Sequence, residues 1–252
     1  MTACRRWRPI SCNAESQYSL PPGGPPLLAA KAATSTIPIV FTLGNDPVRL
    51  GVVASLNRPG GNITGITLLG LELAAKRVAV LHDLVPKAAA IGLLVNPANE
   101  SLAEPEANAA LDAARKLGLH LSIHRARNEL EIDQAFSALT SERVEALVVG
   151  SDALYEAKRD QLVALAAKYA LPTIYPLRES VTAGGLASYG TNLTDAYRQA
   201  GIYVGKVLGG AKPADLPILQ SRVEMVINLK TAKALGITIP QDLRLRADEL
   251  IE

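Results

Sequence analysis

The stretch Ile37-Pro-Ile-Val-Phe-Thr-Leu-Gly-Asn-Asp-Pro-Val48 constrains the fold of this chain more than any other. Its apolar run is short, rich in β-branched residues and free of alternation, which is the pattern of a strand buried on both faces. A polar loop, Thr42 to Asp46, closes it. The same unit returns as Ala89-Ala-Ile-Gly-Leu-Leu-Val95 followed by Asn96-Pro-Ala-Asn-Glu-Ser101. It returns again as Glu145 to Val149 followed by Gly150-Ser-Asp-Ala-Leu-Tyr155, and as Pro172 to Tyr175 followed by Pro176-Leu-Arg-Glu-Ser180. Helical patterns separate these runs. Alternating strands and helices predict an α/β chain with parallel sheets. In open sheets of that kind ligands bind beyond the carboxyl ends of the strands, so the loops are expected to carry the function.

The helical periods predict helices over 47–56, 71–85, 102–117, 129–139, 157–169, 193–208, 229–235 and 243–251. Leu73, Val80, Leu81 and Leu84 form one apolar stripe of the second, with Glu72, Lys76, Arg77 and Asp83 elsewhere. In the sixth, Leu193, Tyr197, Val204 and Leu208 are expected inward, with Asn192 as N-cap. Further strands are expected at Ile63–Thr67, Leu119–Ile123 and Val223–Asn228, with a turn and short strand over Gly184–Gly190. The pattern breaks near Leu68–Gly70 and again near Ser188–Thr191. Two such crossings in a chain of 252 residues suggest two discontinuous domains joined by a hinge.

Residues 1–26 do not fit. They have no apolar period and hold the only Trp and both cysteines of the chain, Cys4 and Cys12. Arg5, Arg6 and Arg8 are not followed by the apolar core of a signal peptide, so no signal peptide is recognisable and a disordered tail is expected. Ala29 to Thr34 reads as the last turns of a helix feeding the strand at Ile37. Elements upstream of that helix are therefore expected to be missing.

Several chemistries lack their residues. No G-x-G-x-x-G opens a helix after a strand, and there is no phosphate-binding G-x-x-x-x-G-K-[ST] and no G-x-S-x-G. From Leu27 on there is no Cys to serve as nucleophile or metal ligand. His120 and His124 share a strand, where four residues span about 13 Å, and a solvated position is expected for them and for His82. No cofactor and no metal is expected. A net charge of +2 without a basic face gives no reason to expect nucleic acid as a partner, and no apolar run reaches membrane-span length.

The strand-exit loops supply a candidate cleft lined by Thr42, Asn45, Asp46, Asn96, Ser101, Ser151, Asp152, Tyr155, Glu179, Ser188 and Tyr189. Asp and Asn in such places also cap the following helix. The set holds no nucleophile with an adjacent base. It does hold hydroxyls, amides and helix starts for an anion and carboxylates for a cation, a mixture that suits a zwitterion such as an amino acid. Asp152 or Glu179 is expected to meet the ammonium. Thr42 and Ser101 are expected to meet the carboxylate.

Several segments resemble a known family. Ile37-Pro-Ile-Val-Phe-Thr with Asp46-Pro-Val, Arg58-Pro-Gly-Gly-Asn-Ile-Thr-Gly65 and Glu72-Leu-Ala-Ala-Lys-Arg77 are similar to ABC transporter substrate-binding proteins of the tryptophan/tyrosine-binding type. So are Leu94-Val-Asn-Pro97, Tyr175-Pro-Leu-Arg-Glu179, Ala183-Gly-Gly-Leu, Ser188-Tyr-Gly190, Asp195-Ala-Tyr-Arg198 and Ala247-Asp-Glu. The resemblance implies a periplasmic-binding-protein type I fold, with two Rossmann-like lobes closing on a small ligand. It places 27–70 and 188–215 in an N-terminal lobe that is incomplete, and 71–187 and 216–252 in a C-terminal lobe. It implies a non-enzymatic solute-binding component of an ABC importer, located in the periplasm. Its partners would be a small polar ligand, an amino acid and in some members an aromatic one, and a permease at the membrane surface. The alternatives weighed are a sensor domain of the same fold and a two-domain enzyme such as an amino-acid racemase. The missing thiol pair speaks against the racemase.

Overall fold

The computed structural model describes residues 24–68 and 70–252. Of the segment expected as a tail, residues 1–23 lie outside the described residues, and 24–26 open the first helix. The helices are α1 Gly24–Ala33, α2 Gly70–Leu84, α3 Glu100–Lys116, α4 Glu129–Ser141, α5 Ala153–Ala157, α6 Arg159–Lys168, α7 Arg178–Thr182, α8 Leu193–Leu208, α9 Leu229–Ala234 and α10 Gln241–Arg246. The strands are β1 Ile39–Leu43, β2 Ile63–Thr67, β3 Ala90–Val95, β4 His120–Arg125, β5 Ala146–Val149, β6 Thr173–Tyr175, β7 Ala187–Thr191, β8 Leu219–Gln220, β9 Val223–Asn228 and β10 Glu249–Ile251. Two compact units divide the described residues, one running to residue 68 with 193–222 and one of 70–192 with 223–252.

In the first unit β1, β2 and β8 form a parallel sheet in the order β1-β2-β8. Both faces of β1 are buried, as its unbroken apolar run requires. Ile39, Phe41 and Leu43 pack with Leu27, Val52 and Val53 on one side, and Val40 packs with Ala196, Ala200, Tyr203 and Val207 of α8 on the other. Gly65 lies opposite Phe41 in the register, and a Cβ there would stand 2.3 Å from the Phe41 carbonyl oxygen. The return segment is tied down by Thr64 Oγ1 donating to Leu216 O at 2.8 Å and Tyr203 OH donating to Pro217 O at 2.7 Å.

The second unit holds a sheet in the order β10-β9-β7-β6-β5-β3-β4. Its pairings are parallel except β7 with β9, which is antiparallel. Val80, Leu81, Leu93, Val148, Ile174 and Ile227 build the core on one face. Leu94, Phe136, Leu147, Val149, Leu162 and Tyr175 build it on the other.

The alternation of strands and helices is as expected, with local departures. Residues 47–56 form turns rather than a helix, because Gly51 at φ +63° breaks the helical path after Leu50 N–H bonds Asp46 O. The helix expected over 157–169 is α6, and a separate short helix, α5, occupies Ala153–Ala157, reaching into the expected exit loop, with Lys158 between the two. The terminal helix ends at Arg246, and 249–251 pairs with β9 instead. The buried face of α8 is Ala196, Ala200, Tyr203 and Val207, while Tyr197 and Leu208 are more than half exposed. Two small alanines let the helix approach the sheet closely, and the larger side chains turn outward. The break expected at residue 188 falls inside β7, which pairs with β9 along 187–191, and the first unit runs on past residue 215 to Arg222.

Candidate functional site

In the second unit the carboxyl ends of β3, β5, β6 and β7 lie along one edge, and the antiparallel β9 brings its amino end, Val223 and Glu224, to the same edge. At the ends of β3 and β5, Asp152 organises the exit loops. Its Oδ1 accepts from Asn96 Nδ2 at 2.8 Å and from Leu154 N–H at 2.9 Å, and its Oδ2 accepts from Asn99 Nδ2 at 3.0 Å. Asp152 is thus the N-cap of α5 and clamps two loops 56 residues apart in sequence. Asn96 Oδ1 accepts from Ala98 N–H at 3.0 Å, closing its own turn. Ser101 is exposed, and its hydroxyl reaches Asn99 Oδ1 at 3.2 Å.

Tyr155 sits below this loop at 2% exposure, with its hydroxyl donating to Ala126 O at 2.9 Å. Burial pushes its phenol pKa far up, reinforced by Asp152. Its ring belongs to the core. Ser151 joins a buried network. Its N–H donates to both oxygens of Glu106, at 3.1 and 2.9 Å, and its hydroxyl to Oε1 at 3.1 Å. Glu106 in turn pairs with Arg77, whose side chain is 1% exposed and also donates to Ser151 Oγ at 3.1 Å. Burial lowers the Arg77 pKa and raises that of Glu106, and each is opposed by the charge of the other.

At the ends of β6 and β7, Glu179 opens α7 and Tyr189 is half-buried. Asn192 Nδ2 donates to Glu224 Oε2 at 2.8 Å, Arg178 stands 3.6 Å from the same oxygen, and Arg178 pairs with Glu249 at 2.7 Å. Glu224 is 6% exposed. Glu179 Oε2, Ser188 Oγ and Glu224 Oε1 are buried and have no hydrogen-bond partner among the described residues.

In the first unit Thr42 and Asn45 are buried at the carboxyl end of β1. Asp46 is a turn cap, with Oδ1 accepting from Val48 N–H at 2.8 Å and Arg49 N–H at 3.2 Å. A shallow depression of about 390 Å³ lined by Lys31, Gly51 and Asn62 lies toward the start of β2, away from Thr42. It has none of the carboxylates or hydroxyls that a zwitterion needs. Among the described residues no cluster of His, Cys, Asp and Glu could hold a metal ion, and no helix is long and apolar enough to cross a membrane.

Sequence reasoning missed Arg77, Glu106, Asn99 and Glu224. Arg77 lies off the apolar stripe of α2 that the sequence predicts, yet it is 1% exposed. A lone carboxylate, Glu106, amid the buried alanines of α3 was the available signal for its partner. His124 is also buried, at 7% exposure, against the expectation of a solvated position.

The comparisons with known proteins bear on the family and the fold. The chain is 31% identical over 215 residues to the tyrosine-binding protein of Clostridioides difficile, covering 84% of this chain and 61% of that protein. It thus spans about three fifths of that relative's length. It is similar to an ABC domain from Streptococcus pneumonia solved in complex with L-Trp, at 28% identity and a TM-score of 0.83, covering 94% of this chain and 80% of that one. A conserved domain protein from Vibrio cholerae matches at 27% identity and a TM-score of 0.82, over 93% and 78% of the two chains. The fold is that of the type I periplasmic binding proteins. The family model described as ABC transporter substrate binding protein matches residues 21–251, and the chain belongs to that family.

Proposed function

We propose that this chain is the solute-binding component of an ABC importer and that its solute is an amino acid with an aromatic side chain. A tyrosine-binding relative and a neighbour solved with L-Trp support the aromatic class. The single observation that carries the zwitterion is the polar edge of the second unit, where Glu179 Oε2 and Glu224 Oε1 are buried and have no hydrogen-bond partner among the described residues. A buried acceptor left unmade is costly, and a ligand donor would satisfy it. The solute contacts fall to the strand-exit residues Ser101, Glu179, Tyr189 and Glu224 of the second unit, while Asn96, Ser151, Asp152 and Tyr155 shape the loops that carry them. By itself the first unit offers the polar groups of Thr42 and Asn45 at the carboxyl end of β1, where Asp46 caps the turn. The chain would work by binding without turnover, outside the cytoplasmic membrane, and would pass its solute to a permease.

Calorimetric titration of the purified chain with each of the twenty amino acids tests this reading. Saturable binding of L-tyrosine or L-tryptophan, with weaker or no heat from small aliphatic amino acids, is expected. Saturable binding confined to sugars or other uncharged solutes would contradict it.

A further inference from the structure

We propose that Glu224, with Glu179 and Ser188, forms the subsite for the ligand's ammonium group, and that Asp152 has no part in it; this rests on the amino-acid reading above. The sheet register places Ser188 and Glu224 together. Ser188 lies opposite Tyr175 on β6 and Val226 on β9, and Gly190 lies opposite Glu224. Residues two apart on a strand share a face, so Ser188 and Glu224 project to the same side of the sheet, one step apart. Gly190 puts no side chain between them. Glu179 belongs to α7, the helix that follows β6, and sits next in sequence to Arg178.

Each member holds an unused acceptor. Glu224 spends Oε2 on Asn192 and Arg178, while Oε1 is buried and unpaired among the described residues. Glu179 Oε2 and Ser188 Oγ are in the same condition. Ser188 is 1% exposed and Glu224 6%, so bulk water does not compensate either group. The charge balance selects the ligand. Burial disfavours the charged guanidinium of Arg178, yet Glu249, Glu224 and Glu179 together hold its pKa above the usual value. One cation facing three carboxylates leaves the cluster negative. A primary ammonium brings one positive charge and three donors, which matches three unmade acceptors. A ligand carboxylate would be repelled here.

Asp152 is different in kind. Two side-chain amides and one backbone N–H already bond it, and its carboxylate is spent on holding the loops of β3 and β5.

The test titrates the native chain and the variants E224Q, S188A and D152N with L-tryptophan, L-tyrosine and their desamino analogues, indole-3-propanoate and 3-(4-hydroxyphenyl)propanoate. Native chain is expected to prefer the amines by about tenfold or more, the scale of one charge-assisted hydrogen bond. E224Q should lose most of that preference while its melt stays cooperative, and S188A should reduce it, so the proposal remains testable should E224Q fold poorly. D152N should melt lower but keep the preference. Full preference retained in both E224Q and S188A, or lost in D152N alone, overturns the subsite. So does a native chain that binds amines and desamino analogues equally. A native chain that binds none of these compounds overturns the amino-acid reading and this subsite with it.

Discussion

Arg77 of α2 and Glu106 of α3 form an ion pair with side chains 1% and 2% exposed, and the same carboxylate receives the N–H and hydroxyl of Ser151 at the exit of β5. The pair therefore joins two helices to one loop of the candidate site. A buried charge without its partner is costly because the interior cannot solvate it. E106Q or R77M should each destabilise the chain by about 3–5 kcal/mol. The double variant R77M/E106L, which removes both charges, should recover much of that loss. Denaturant melts of the three variants check this, and a double variant as unstable as the sum of the singles would contradict it.

Tyr155 gives a prediction of the opposite kind. Its hydroxyl serves Ala126 and its ring serves the core. Y155F should cost about 1–2 kcal/mol of stability, as expected for a buried acceptor left unmet. Ligand affinity measured by calorimetry should be unchanged.

Gly190 is a steric requirement. A Cβ at this position would stand 1.7 Å from the Pro176 carbonyl oxygen, where β7 passes the loop after β6. Backbone on one side and a sheet on the other leave no room to shift. G190A should exceed the ~1–3 kcal/mol of ordinary overpacking, and soluble yield with the melting midpoint reads it out. A variant that melts with the native chain would show that the two segments can separate freely.

His124 makes stability depend on pH. Burial lowers its pKa below the ordinary 6.5, partly opposed by Glu142 3.5 Å away. The unfolded chain then binds a proton at a higher pH than the folded chain does. The stabilising preference for the neutral ring is complete above pH ~6.5 and is lost as pH falls from there through the folded value. Native stability should therefore decline with acidification over that window. H124Q should decline less, as seen by comparing denaturant midpoints at pH 7.5 and 5.5. Equal slopes for the two chains would contradict the assignment.

Glu145 acts in the same direction at lower pH. Backbone N–H groups of Ala90 and Ala89, at 3.0 and 2.7 Å, hold its carboxylate below its ordinary pKa. The stability it contributes is present above the unfolded pKa of ~4.3 and is lost as pH falls through the folded value. E145Q should thus separate from the native chain at pH 6 and converge on it near pH 2.

What the sequence made legible were the features set by near neighbours. β1, β3 and β5 announce themselves as nearly continuous apolar runs, and the loops after them contain the polar residues that line the carboxyl edges. The motif after Glu72 even contains Arg77, although not its burial. What stayed hidden depends on partners far along the chain. Asn96 and Asp152 meet across 56 residues, and Glu224 reaches the edge only because β9 runs antiparallel to β7. Residues 249–251 carry a helical period but are recruited by β9. On α8 the apolar positions outnumber one face, and the close approach of Ala196 and Ala200 decided which of them was buried.

The most direct test of the central claim is a thermal melt of the purified chain with and without L-tyrosine or L-tryptophan at a hundredfold excess over the dissociation constant. Binding to the folded state alone adds about 2.7 kcal/mol at that excess, which moves the midpoint of a chain this size up by roughly 5–10 °C. A cooperative transition raised by that amount with an aromatic amino acid, and not with glucose, is the predicted result. A cooperative transition that stays in place with both amino acids at millimolar concentration would contradict the account.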